Sequence, residues 1–185
     1  MQKILITGSS GYIGSSLCLF LEKKYIIKGL DKNSSNYFKF TRINLLNIQK
    51  LNQVLKSFKP DIVVHLAAQS LVDETVNKKN YILNNIKATK NLLLCLKKNK
   101  ISNLIFSSTA AVYKYKDKAL KESDRLMPIS TYAKTKYECE KLIKASNLNY
   151  IILRFFNVCS SLNIKNKIIG ELHNPETHLI PKLMQ

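Results

Sequence analysis

The sequence predicts an α/β domain built on a doubly wound parallel sheet with helices on both faces. Three observations carry that reading. Segments of strand pattern and of helix pattern alternate from start to finish. One run, Asp61–Leu66 (DIVVHL), is almost continuously apolar, as a strand covered on both faces has to be. A glycine-spaced loop joins the first strand to the first helix. Strands alternating with helices build βαβ units and a parallel sheet. Right-handed crossovers then place helices on both sides of it.

Lys3–Thr7 reads as a short apolar strand and Tyr12–Glu22 as a helix. Tyr25–Leu30 is the second strand and ends at Asp31. After a polar turn over Asn33–Asn36, Tyr37–Ile43 reads as a third. Ile48, Leu51, Val54, Leu55 and Phe58 recur at helical spacing, and Pro60 stops that helix. The apolar run Asp61–Leu66 follows. Ile82, Ile86, Leu93 and Leu96 mark a long helix, Ser102–Ser107 a strand, Thr131–Ala145 a helix and Asn149–Phe155 a last strand. No internal repeat or low-complexity linker divides the chain. Ligands of such sheets bind beyond the carboxyl ends of the strands. The loop after Thr7, Asp31 and the Ser107–Thr109 segment all fall there.

Composition bounds the alternatives. A chain of 185 residues with 45% hydrophobic side chains can bury a sizeable core and is not a disordered tail. The start Met1-Gln2-Lys3 followed by a glycine-interrupted apolar run is not the layout of a secretory signal. No stretch approaches the roughly 18 apolar residues of a membrane span, so a cytoplasmic location with no membrane partner is expected. Cys18, Cys95, Cys139 and Cys159 lie scattered in apolar segments and are expected reduced and buried. The net charge of +18 is the abnormal quantity. It comes nearly all from lysines spread along the whole chain, whereas nucleic-acid readers cluster arginine with aromatics in a stripe. No nucleic-acid partner is expected. A lysine-rich surface would help attract an anionic nucleotide ligand.

Gly8-Ser9-Ser10-Gly11-Tyr12-Ile13-Gly14 follows the first strand directly and opens the first helix. Gly8 suits the tight turn, Gly11 lets the backbone approach a pyrophosphate, and Gly14 allows close helix–strand contact. The helix N-terminus offers its N–H groups and a partial positive charge to that anion. Asp31 ends the second strand about 20 residues on, where an acid bonds the adenine-side ribose of a dinucleotide. These are the marks of a Rossmann-type fold. A carboxylate at Asp31 repels a 2′-phosphate, so NAD is expected over NADP; Lys32 beside it weakens that preference without reversing it.

Tyr132 and Lys136 stand four apart on a predicted helix and so share a face. A free phenol titrates near 10, and a base useful at neutral pH needs a value about three units lower, or about 4 kcal/mol of differential stabilisation. A nearby ammonium favours the phenolate, as does the positive nicotinamide ring of an oxidised cofactor. Tyr137 and Lys141 repeat the spacing, so the spacing alone selects nothing. Thr109, at the end of a strand, adds a hydroxyl that can bond the substrate oxygen. His65, His173 and His178 lack paired ligand spacing, and no metal is expected.

In the stretches ILITGSSGYIGSSL, HLAA (65–68), NNIKATKNLL, NLIFSSTAAVY, YAKTK, LRFFNV and IGELHNPETHLIP, the chain resembles the UDP-glucose 4-epimerases of the extended short-chain dehydrogenase/reductase superfamily. The resemblance runs from Met1 almost to Gln185, and the segment Glu171–Pro181 is its most epimerase-like part. It implies an NAD-binding Rossmann domain over 1–160 and the start of a substrate-binding region over 161–185. It places NAD on Gly8, Gly11, Tyr12, Ile13, Gly14, Asp31, Asn44, Leu66, Ala67, Ala68 and Asn85. Thr109, Tyr132 and Lys136 become the catalytic residues, with Tyr132 and Lys136 also touching the cofactor. The UDP-hexose would meet Thr109, Tyr132, Asn157, His178 and Leu179.

The implied reaction is inversion at C4 of the hexose through transient oxidation. A nucleotide-sugar 4,6-dehydratase shares the loop and the pair, but Ala110-Ala111 stand where such enzymes carry an acid pair. Other departures are Asn44 where the family has an acid, Ser70 for a cofactor-contacting lysine, Phe155 for tyrosine and Lys114 for glycine. Family members continue past the HLIP segment with a region that closes over UDP, so the substrate domain is expected to be largely missing from these 185 residues. That leaves a non-catalytic NAD-binding module as a further alternative, and a homodimer as an assembly open to a full-length chain.

Overall fold

The computed structural model describes residues 1–33, 40–70, 77–159, 161–164 and 167–170. Strands β1 (Lys3–Thr7), β2 (Ile26–Asp31), β3 (Phe40–Arg42), β4 (Ile62–His65), β5 (Asn103–Thr109) and β6 (Asn149–Phe155) form one sheet in the order β3-β2-β1-β4-β5-β6. Every neighbouring pair in it is parallel. The strand order reverses between β1 and β4, so the crevice of a doubly wound sheet opens at the carboxyl ends of those two strands.

Strand alternation divides the core. Leu5, Leu30, Val63, Leu104 and Phe106 point to one face. There they pack under α2 (Ile48–Phe58), α4 (Ala88–Lys98) and α5 (Thr131–Lys144) through Leu51, Leu55, Leu92, Leu96 and Ile143. Ile4, Ile6 and Val64 point to the other, against Cys18 and Leu17 of α1 (Tyr12–Leu21). Helix starts follow from capping side chains. Asn47 accepts from the Lys50 N–H at 3.0 Å at the head of α2, and Ser130 from the Ala133 N–H at 3.1 Å at the head of α5. Helix α2 ends at Lys59, whose φ of 50° is left-handed, one residue before Pro60.

The long helix marked by Ile82 to Leu96 is composite: α3 (Lys78–Tyr81), a π-helical turn over Ile82–Lys87, then α4. The wider turn shifts the facing register, so Tyr81, Asn85, Thr89, Leu92 and Leu96 are buried while Ile82 is exposed. The strand expected from Tyr37 is described from Phe40 only; residues 37–39 lie outside the described part. A two-stranded antiparallel pair, β7 (Leu162–Ile164) with β8 (Lys167–Ile169), had no counterpart among the expected elements. Cys18, Cys95 and Cys139 are free and buried, but Cys159 is exposed because it follows the end of β6, outside the core. No helix among the described residues is long and apolar enough to cross a membrane.

Candidate active site

The glycine loop closes on itself in the way its spacing anticipates. Gly8 has φ of 75°, a left-handed conformation that favours glycine, and a Cβ there would lie 2.7 Å from the Ala67 nitrogen. A Cβ on Gly14 would lie 2.0 Å from the Gly8 carbonyl oxygen, so a side chain at that point would force the loop open. Gly11 caps α1 and has no side chain to bond into the first turn. The N–H groups of a first turn have no intrahelical acceptor, so this end suits an anion. Asp31, at the end of β2, accepts from the Ser10 N–H at 3.0 Å and from the Asn33 N–H at 2.9 Å. Its carboxylate is thereby held at the rim of the loop. A cradle that side chains would fill, a glycine-capped helix start and a fixed acid together fit a dinucleotide. Asn44 is exposed and its Oδ1 accepts from the Leu46 N–H at 2.9 Å, which uses one of that oxygen's acceptor positions in a local turn.

The HLAA segment backs the loop. Ala67 donates its N–H to Thr7 Oγ1 at 3.3 Å, and Leu66 donates its own to the Thr7 carbonyl at 3.1 Å. Ala67 and Ala68 stay half-buried at the carboxyl end of β4. Two residues on, Asn85 of the π turn takes over. Its Oδ1 accepts from the Gln69 N–H at 2.7 Å, and its Nδ2 donates to Thr135 Oγ1 at 2.9 Å. Thr135 in turn donates to the Tyr132 carbonyl at 2.8 Å. A π turn at this place is consistent with the tendency of such turns to mark functional sites.

Tyr132 stands in the first turn of α5 beside the end of β5, with Thr109 next to its phenol. Burial pushes the phenol above its ordinary value, the Thr109 side chain works against that, and Tyr81 adds to the rise. Lys136, one turn on, is buried with its Nζ 4.5 Å from the Phe106 ring centroid. Burial lowers its ammonium to about 8, with Cys139 and Glu140 pulling the other way. The expected lowering of the phenol by the lysine is therefore not what this arrangement displays; Lys136 is turned onto Phe106. The look-alike pair is a surface feature: the Lys141 ammonium lies 5.0 Å from the Tyr137 ring centroid and 2.5 Å from Glu138.

Three groups at this site have no role assigned from the sequence: Glu140, Arg154 and His65. Glu140, on the same helix face eight residues after Tyr132, is buried and accepts from Ser108 Oγ at 2.5 Å and from Arg154 at 3.0 and 2.8 Å. Burial pushes its carboxyl up, but the Arg154 and Ser108 bonds and the Arg154 charge hold it below the usual carboxylate range. Arg154 also donates to the Tyr113 hydroxyl at 2.9 Å. The helix-face spacing of Tyr132, Lys136 and Glu140 was the available clue to the acid; nothing local pointed to Arg154 or to His65. Asn157 is exposed two residues beyond β6, Ser70 and Lys114 are exposed, and Phe155 is half-buried. His178 and Leu179, expected against the sugar, lie outside the described residues, as does the Glu171–Pro181 segment.

The loop, Ala67, Asn85, Tyr132 and Thr109 thus lie at the carboxyl ends of the strands, and known proteins share the fold. The UDP-glucose 4-epimerase of Halalkalibacterium halodurans is 35% identical over 195 residues, which cover 98% of this chain and 58% of that protein. The crystal structure of UDP-glucose 4-epimerase from Brucella ovis in complex with NAD superposes with a TM-score of 0.89 at 30% identity, over 100% of this chain and 60% of that one. The UDP-glucose 4-epimerase of Thermotoga maritima with UDP-glucose matches with a TM-score of 0.76 at 28% identity, over 83% of this chain and 55% of that one. The chain spans about 58% of the length of the first of these. The family model for NAD dependent epimerases and dehydratases matches residues 4–184, and with the Rossmann-type sheet and the loop that fits the cofactor, the chain belongs to that NAD-dependent family.

Proposed function

We propose that the protein acts as a UDP-glucose/UDP-galactose 4-epimerase, or supplies the NAD-binding part of one. Residues 1–160 would form the NAD-binding domain, and 161–185 the start of the substrate-binding region. The observation that carries this reading is the placement of Tyr132 at the strand ends beside Thr109, one helical turn from a buried lysine and next to a loop shaped for a pyrophosphate.

Gly8, Gly11 and Gly14, with the backbone of Tyr12 and Ile13, hold the pyrophosphate, and Asp31 bonds the adenosine ribose. Asn44 stands near the adenine, while Leu66, Ala67, Ala68 and Asn85 line the nicotinamide side. When bound, NAD supplies acceptance and return of the hydride at C4 of the hexose. Tyr132 takes the C4 hydroxyl proton at its phenolic oxygen and gives it back when the sugar is reduced from its other face. Thr109 holds that oxygen in line. Lys136 turns from Phe106 toward the nicotinamide ribose and brings its charge to the phenol, which lowers the phenol from the raised value that burial imposes. Asn157, His178 and Leu179 would contact the UDP-hexose.

The test is conversion of UDP-galactose to UDP-glucose in the presence of NAD. Tyr132→Phe should cut turnover by about 10²-fold or more, the range of a lost general acid–base, while NADH affinity changes little. Normal turnover in that variant would sink the assignment. A 4-keto-6-deoxy product would make it a dehydratase, and cofactor binding without any turnover would leave an NAD-binding module.

A further inference from the structure

His65 is fully buried, plays no part in the proton transfer above, and is bonded at both ring nitrogens. Nδ1 lies 2.7 Å from Thr7 Oγ1 and Nε2 lies 2.9 Å from Thr89 Oγ1. Thr7 Oγ1 already accepts from the Ala67 N–H at 3.3 Å, which leaves its own hydrogen for Nδ1. A neutral ring that accepts at Nδ1 carries its hydrogen on Nε2, which it donates to Thr89 Oγ1. An imidazole in this setting is neutral with its hydrogen on Nε2. The ring also packs on Phe106, with centroids 5.6 Å apart, and the Lys136 ammonium lies 4.5 Å from the centroid of the same Phe106. A second positive charge on the ring would therefore be repelled by the Lys136 ammonium. Burial and then that charge hold the imidazole down to about 3. The titratable groups that face this layer are Lys136 and Cys139, both on α5. From β1, β5 and α4 the ring meets Thr7, Phe106 and Thr89, none of which titrates.

We propose that His65 is a positioning residue: a neutral imidazole in the Nε2–H tautomer, it ties the end of β1 to α4 and packs on Phe106 beside Lys136, and so fixes the spacing between Ala67 and Lys136. That spacing is the width of the nicotinamide side of the cleft, so the inference rests on the cofactor reading above. The position needs an acceptor toward Thr7, a donor toward Thr89 and a flat group between them. Glutamine offers the same acceptor and donor on one planar amide, whereas leucine fills the space and leaves both threonines unpaired.

The experiment is NADH titration by fluorescence of the 185-residue chain and its His65→Gln and His65→Leu variants, with ¹⁵N-edited NMR of the imidazole between pH 4 and 8. His65→Gln should bind NADH within about threefold of the parent, and His65→Leu about tenfold more weakly or worse. The ring, assigned by its loss in His65→Gln, should show one Nε2–H tautomer unchanged across that range. A ring that titrates near its ordinary 6.5, a glutamine variant as impaired as the leucine one, or a leucine variant with parental affinity each overturns the proposal. A parent chain that binds no NADH overturns the cofactor reading instead, while the NMR signature still decides the tautomer.

Discussion

The two faces of the sheet are covered unequally. On one, α2, α4 and α5 lie across the strands and bring Leu5, Leu30, Leu92 and Leu96 to 0% exposure. On the other, α1 covers Ile4, Ile6 and Val64, but it does not reach β6, where Ile151 and Leu153 stay 57% and 39% exposed. Ile151 pairs with Ile105 and Leu153 with Ser107, so both point to the α1 side. The same alternation of side chains thus yields a core where helices cross and an apolar patch where none of the described ones does. The site chemistry belongs to the covered face. Lys136, Glu140, His65 and Thr89 are all buried there; hydrogen bonds satisfy the last three, whereas burial of the Lys136 ammonium costs stability.

Three substitutions would sharpen or break that contrast. Leu92→Ala, in the middle of the covered face, should cost about 4 kcal/mol in urea unfolding, because neighbours on α2 and β1 cannot close over the cavity. A loss below about 1 kcal/mol would mean that this face is loosely packed. Lys136→Met acts in the opposite direction. The ammonium sits near 10.5 when unfolded and about 8 when folded. Between those values the unfolded chain keeps a proton that the folded one has released, so stability rises with pH across that window. Below about 8 the full burial cost is present. Removing the charge should therefore stabilise the protein by up to about 3 kcal/mol at pH 7, with the gain shrinking toward pH 10.5. A destabilised methionine variant would show that the lysine has a partner in the folded protein that offsets its burial. Ile151→Thr, on the open face, should shift unfolding by no more than about 0.5 kcal/mol. A large loss there would reveal that something covers β6 in solution.

Legibility in the sequence followed the same division. β1, α2 and β6 have the bounds their patterns predict, since apolar periodicity and an adjacent turn signal agree at each. The glycine loop was legible because its constraint is steric and local. The composite helix was not, since a π turn changes the facing residues from Ile82 to Tyr81 and Asn85 without changing helical character. Tyr132 and Thr109 could be paired from their places at a helix start and a strand end. The orientation of Lys136 over Phe106, the His65 bonds to Thr7 and Thr89, and the Glu140–Arg154 pair depend on which elements meet in space, which spacing along the chain does not encode.

β6 is the last strand of its sheet, and among the described residues no strand pairs with its outer edge. Tyr150-Ile151-Ile152-Leu153 contains no proline, no lysine and no bulge, and the neighbouring charge of Arg154 is turned inward to Glu140. Those are the features by which sheet edges normally repel other chains. Left uncovered, an edge without them is a template for intermolecular β-pairing, and a single outward lysine at Ile151 would be the economical way to suppress it.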